Sequence, residues 1–499
     1  MLCKFVPKSL SIGRKIINNQ SLLTRRFQIN SLIKSSIKND PKNSNNPSYP
    51  SEVKKVGDFK DIEIIENLML KKEKPVASYI IQPRKKLQSL SEPSYWIDLV
   101  NKTKSKKQIR QSKSPIQRKL ILRTMSDSYV EEFLPFKSDP DLLEEYVNSD
   151  GGIRIGKIFE DLDLLAANIS YKHCVIEKEN YSNITIVTAS VDRLDLIKSL
   201  PICDIRLNGH ISYVGYSSME VLIKMEALQD GVFQNLQTSS ETNFQGETLM
   251  ITRFIMVARD PFTDHSIQIN PLQLENNYQK KLFQIAEEQK NRRRASAAAA
   301  LTRLPPTEEE KLLIHDCYLE YCKYANQKEK IPDNILWMDE TTMESVTFMQ
   351  PQNRNIHGFV FGGYLMKLAY ELAFSNASVF LKSRPTFLAL DEISFRKPVQ
   401  IGSILIMSSQ IVYAPGSPHR SFQVMVMADV LDIERVSRDT TNIFHFTFNC
   451  DNSDIKVRRV MPKTYDESMK YVEGRRRRRI GLKLRGLYNE ISDKRMKTS

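Results

Sequence analysis

The chain of 499 residues holds only six cysteines and two tryptophans, and no run of 18 apolar residues occurs in it. Each shortage excludes something. A helix needs roughly 20 apolar residues to cross a bilayer, so no membrane span is expected, while attachment to a membrane surface stays open. The cysteines form no Cys-x-x-Cys pair, and Cys317 and Cys322 stand five apart with only His315 and Asp316 beside them. That is half a zinc pattern, so the expectation is buried thiols in a reducing compartment, with no metal and no cofactor. His173 and Cys174 are adjacent, but no carboxylate is placed by sequence to orient them, and they are read as core residues.

Acid is missing from residues 1–39, which carry eight Lys and Arg among Ser and scattered apolar residues. That composition is expected of a mitochondrial transit peptide, assigned to residues 1–36, and points to the matrix. Residues 475–499 carry ten basic residues against two acidic ones. Each end therefore contributes +8 to the formal charge of +14, which leaves about −2 for residues 40–474. The folded body is not a basic platform, and no specific nucleic-acid partner is expected.

What is present is one pattern used twice. Residues 37–117 are read as linker and accessory extension, rich in Asn, Lys, Pro and Ser at their start. From residue 118 an apolar helical spacing over 155–171 precedes strand-like runs at 184–191, 204–214, 219–225 and 249–258. The same order returns as a helix over 363–382 and strands near 386–395, 403–413, 421–431 and 440–450. Setting Gly156 on Gly363 gives an offset of 207, which also carries Asn148 onto Asn355; beyond the helix the offset falls to about 199. A helix followed by antiparallel strands, repeated, is an α+β pattern with a sheet wrapped round a central helix. The boundaries follow: a first domain at 118–262, a helical connector at 263–325, a second domain at 326–450 and a basic C-terminal tail at 451–499.

The reactive groups gather at the two helix starts. Gly362 and Gly363 open the second helix, where unpaired N–H groups can polarise an oxygen and the absent side chains permit close approach. Asp163 lies two helical turns after Gly156, on its face, and a carboxylate in an apolar stripe is costly enough to need a reason. Its counterpart in the second copy is Tyr370, with Glu371 rotated roughly 80–100° round the helix. The expected constellation is composite: Asp163 acts as general base or nucleophile on a thioester carbonyl that Asn355 and the Gly362–Gly363 backbone polarise. Glu160 and Asp161 compete for the carboxylate role; Asp161 points to the far side of the helix. Asn148 with Glu371 forms a possible second site, for which the rotation of Glu371 favours decay.

The run from Arg154 to Asp163, the residues Tyr171 to Cys174 and the stretch 355–373 together resemble the mitochondrial acyl-CoA thioesterases with two tandem hotdog domains. The resemblance spans roughly residues 118–450. It implies hydrolysis of fatty acyl-CoA to free acid and CoA, an Asn before the glycine pair at Asn355, an acid on the partner helix at Asp163, and a pseudo-dimer that assembles further into dimers or trimers. Phe361 stands where that family commonly has His before the glycine pair, with His357 displaced upstream, and the first copy keeps only Gly156. Arg396 and Lys397 stay open between a contact to CoA phosphates and a solvated edge. Two other functions compete. Hotdog hydratases carry His five residues after the Asp, and here Asn168 stands there. A mitochondrial RNA-associated protein would use Arg475 to Arg479 and the basic connector, with no aromatic platform between them.

Overall fold

The computed structural model describes residues 120–174, 184–197, 200–229, 246–260, 263–325, 330–353, 359–432 and 437–498, all within one compact unit, 58–499. The first copy runs β1 (Val130–Pro135), α1 (Pro140–Tyr146), α2 (Ile155–Cys174), β2 (Thr185–Val191), β3 (Leu194–Asp195), β4 (Asp204–Val214), β5 (Ser218–Ala227) and β6 (Glu247–Arg259). Helices α3 (Asn277–Ala298) and α4 (Glu308–Ala325) follow. The second copy runs β7 (Met343–Phe348), α5 (Gly362–Leu381), β8 (Thr386–Leu390), β9 (Ile393–Ser394), β10 (Ile404–Tyr413), β11 (Ser421–Asp432) and β12 (Ser437–Asn449), and ends in α6 (Tyr465–Thr498).

Alternation decides which face of each strand is buried against the helix. In β5, Met219, Val221, Ile223 and Met225 are buried on the concave side; in β12 it is Phe444, Phe446 and Phe448. Helix α2 answers with Ile158, Phe159, Leu162, Leu165 and Ile169, none of which is exposed at all. At roughly 1.5–3 kcal/mol for each fully buried large side chain, these concave faces outweigh any count of surface ion pairs, each worth at most about 1 kcal/mol.

Each sheet has six antiparallel strands, and each takes one strand from the other copy. The orders are β9-β2-β6-β5-β4-β1 and β3-β8-β12-β11-β10-β7. The short guest strand β9 pairs Ile393 with Val191 and Ser394 with Ser190, and β3 pairs Leu194 with Leu390 and Asp195 with Ala389. An offset of 199 maps each of these pairings onto the other, as a pseudo-two-fold axis requires. The shared seam is therefore built by reciprocal exchange, and α2 and α5 cross on it.

The convex faces carry the outer helices. Tyr213 packs on Phe283 of α3 with ring centroids 4.7 Å apart, and the corresponding Tyr413 packs on Tyr471 of α6 at 4.8 Å. The segment read from sequence as a helical connector thus buries Leu282, Ile285 and Ala286 against the first sheet. The segment read as a basic tail likewise forms a helix on the second, with Tyr471 and Val472 buried. Arg293 of α3 reaches Asp192 at 2.8 Å and Glu220 at 3.2 Å. At the corresponding place on the other side α6 has Gly481, and Arg193 from the β2–β3 turn fills the space, paired with Asp195 and Asp391. Guanidiniums clamp both sides of the seam, Arg293 of a helix with Arg253 of β6 on one side and Arg193 of a turn on the other.

Candidate active site

Asp163 sits in the third turn of α2 and is buried, and its carboxylate crosses the seam. Oδ2 accepts from the N–H of Gly363 at 2.7 Å, and Oδ1 accepts from Thr188 Oγ1 at 2.6 Å. The first bond exists because of what Gly363 lacks. A Cβ there would stand 2.8 Å from the Asp163 Cβ and 2.9 Å from both the Glu160 Cα and the Phe159 carbonyl oxygen, so any side chain would push the two helices apart. Gly363 lies in the first turn of α5, where N–H groups have no partner within the helix and the positive end of the helix dipole favours an anion.

Two opposed effects act on this carboxylate. Burial pushes its pKa above the ordinary 3.8, while the hydrogen bonds from Thr188 and from Gly363 pull it back; burial wins. Held by two donors, the carboxylate keeps lone pairs that could accept a proton or attack an electrophilic carbon, and burial raises its basicity. Gly363 is thereby given to holding the carboxylate, a different task from polarising a substrate carbonyl. Gly156 also abuts α5, further along it. Its Cβ position lies 3.0 Å from Lys367 Cγ.

Of the other candidates, Asn355 and His357 lie outside the described residues. Glu160 pairs with Lys367 at 3.2 Å, and these two residues correspond to each other across the pseudo-two-fold. Asp161 does point away, accepting from the buried Tyr146 hydroxyl at 2.7 Å. Asn148 closes its own loop, its Oδ1 accepting from the N–H groups of Asp150 and Gly152. Glu371 pairs with Arg154 at 2.7 Å, half-exposed. No sequence signal marks Thr188, because a threonine in a strand is commonplace.

Across the pseudo-two-fold, Asp163 and Thr188 correspond to Tyr370 and Phe387, whose ring centroids are 5.4 Å apart. Tyr370 also packs on Phe159, Phe446 and Phe448 at 5.8–6.3 Å. Aromatic rings occupy the second half-site where the first holds acid and hydroxyl.

The sequence matches no family model. It is 37% identical over 404 residues to the mitochondrial acyl-coenzyme A thioesterase 9 of Bos taurus, an alignment covering 80% of this chain and 88% of that protein. The chain belongs to the acyl-coenzyme A thioesterase family. The thioesterase is also 33% identical over 374 residues to the chloroplastic acyl-coenzyme A thioesterase 2 of Humulus lupulus, covering 72% of this chain and 82% of that one. Among solved structures, an acyl-CoA hydrolase from Staphylococcus aureus in complex with butyryl-CoA, CoA and CoA disulfide matches 31% of the chain and 99% of its own, at 26% identity and a TM-score of 0.28. The two domains of the present chain are tandem hotdogs, and, like its relatives, it is a thioester hydrolase acting on acyl-CoA.

The motifs left over have structural partners. Arg476 forms a two-pronged pair with Glu310 at 2.6 Å, Arg475 and Arg479 share Glu309, Arg477 meets Glu473, and Arg478 donates to Ser421. Each arginine of the run thus has a partner on its own protein. Asn168 donates to Glu132 at 3.2 Å. His173 Nε2 donates to the Asn270 carbonyl at 2.8 Å, and Asn270 donates back to the carbonyl of His173. Lys397 pairs with Asp439 on the surface. Among the described residues no cluster of His, Cys, Asp and Glu could hold a metal ion, and no helix is long and apolar enough to cross a membrane.

Proposed function

We propose that the thioesterase cleaves fatty acyl-CoA in the mitochondrial matrix at one composite site per chain, with Asp163 of the first hotdog activating water against the thioester. The observation that carries this is the 2.7 Å bond from the Gly363 N–H to the Asp163 carboxylate across the seam. Asp163 takes a proton from water, the hydroxide adds to the carbonyl, and collapse expels CoA thiolate, which takes up the proton. Asn355, seven residues before the α5 start at Gly362, donates to the developing oxyanion. The alternative in which Asp163 itself attacks is separated by a single turnover in ¹⁸O-water, which labels Asp163 only if an anhydride forms. The resemblance further implies dimers or trimers of these chains, read by light scattering.

The test is thiol release from a panel of acyl-CoAs by wild type, Asp163→Ala and Asn355→Ala. The expected losses are about 10²–10⁴ for the base and about 10²–10³ for the oxyanion donor, with the circular dichroism spectrum unchanged. Undiminished rates in both variants would overturn the assignment.

A further inference from the structure

The site contains one aromatic side chain that the hydrolytic roles do not use. Phe395 follows guest strand β9, and its N–H donates to the Ala189 carbonyl at 2.8 Å, so the second hotdog delivers this ring to the catalytic strand of the first. The position a Gly362 Cβ would take lies 3.2 Å from Phe395 Cζ, 3.4 Å from Asp163 Oδ2 and 3.4 Å from Thr188 Cβ. Ring tip, carboxylate, hydroxyl-bearing carbon and helix start therefore converge on one point. Behind it the ring packs on the fully buried Phe444 at 6.4 Å, and Phe444 continues into Phe446. The corresponding residue of the other half-site is Leu196, so this ring is particular to the side that carries Asp163.

We propose that Phe395 is a specificity-determining residue that limits the bulk an acyl group carries on the carbons next to the thioester. A carbonyl within reach of Asp163 and of the α5 start brings its substituents into van der Waals contact with the ring tip. The apolar wall formed by Phe395 and Phe444 suits the acyl side of that carbonyl, because the pantetheine side brings amides that would be buried without partners. A straight chain passes a planar ring edge; a branch or an aryl group at the first carbons collides with it. This inference rests on the proposed role of Asp163.

The experiment compares kcat/KM for butyryl-CoA, 2-methylbutyryl-CoA and benzoyl-CoA in wild type, Phe395→Ala, Phe395→Leu and Phe395→Trp, with Asp163→Ala as control. Phe395→Ala should raise the ratio of branched or aryl to straight-chain substrate by about tenfold or more, Phe395→Leu by less, and Phe395→Trp should lower it. An equal change on all three substrates, or none, overturns the specificity role; Phe395→Leu and Phe395→Trp keep the test open if the alanine variant fails to fold. An active Asp163→Ala enzyme would instead overturn the reading of the site itself, which separates the two failures.

Discussion

A single residue, Asp163, couples activity and stability in opposite senses. As a base it works only when ionised, and burial has raised its pKa, so the acid limb of the pH–rate profile should fall at a pH above that of an ordinary carboxylate. The Thr188 hydroxyl favours the charged form, so Thr188→Val, which removes the donor and keeps the shape, should move that limb to still higher pH, while Thr188→Ser leaves it in place. For stability the sign runs the other way. A carboxyl whose folded pKa lies above its unfolded one favours the fold at low pH, and that contribution is lost as pH rises through the raised value. Asp163→Asn can accept from Gly363 through its oxygen and donate to Thr188 Oγ1 through its amide, without a buried charge, and at pH 8 it should melt higher than wild type while turning over about 10²–10⁴ times more slowly. A lower melting temperature would contradict this account. The sequence made Asp163 legible, because an acid within an apolar helical stripe stands out. It could not show Gly363 as its partner or Thr188 beside it, since spacing within one helix says nothing about what a second helix brings to it.

Elements were legible where periodicity is strong. The 207-residue offset that set Gly156 on Gly363 matches the starts of α2 and α5, and seven of the eight long strand runs fall within a few residues of their observed ends, whereas the run at 386–395 breaks into β8 and the guest strand β9, which lie in different sheets. The guest strands β3 and β9, two residues each, carry no pattern of their own and emerge only from pairing across the seam. The docking of the outer helices was hidden by charge: the acids that Arg475, Arg476 and Arg479 meet, Glu309 and Glu310, lie far away in sequence. Gly474 tests this docking. It faces Tyr413, where an added Cβ would stand 2.6 Å from the Tyr413 Cβ, and the corresponding residue of α3, three after Phe283 as Gly474 is three after Tyr471, is Ala286. Gly474→Ala gains about 1 kcal/mol of helix propensity but must lift α6 from a strand that cannot yield, at a cost of about 1–3 kcal/mol. Net destabilisation is expected at Gly474, and Ala286→Gly should also destabilise, so the same pair of residues has opposite preferences at equivalent places. Urea unfolding of both variants checks it; a more stable Gly474→Ala protein would mean that α6 does not pack as described.

Whole-molecule symmetry raises the question of stoichiometry. Two hotdogs offer two half-sites, but one is lined by Asp163 and Thr188 and the other by Tyr370 and Phe387. Those rings belong to a buried aromatic cluster with Phe446 and Phe448, and each buries about 150–250 Å². Filling a half-site in this way stabilises the seam and removes the room a thioester would need. A non-hydrolysable acyl-CoA thioether should therefore titrate one site per chain by calorimetry, and two equivalents would show that the second half-site still binds. Tyr370→Asp with Phe387→Thr, which copies the acid and hydroxyl into the second half, should not create a second site. Removing two large buried rings costs about 3–5 kcal/mol each, and the new carboxylate would be buried at a helix start where Ile155 stands in the place of Gly362. On the proposed reading the asymmetry is energetically locked: the half lined by Tyr370 and Phe387 is part of the core that holds the half with Asp163 in register.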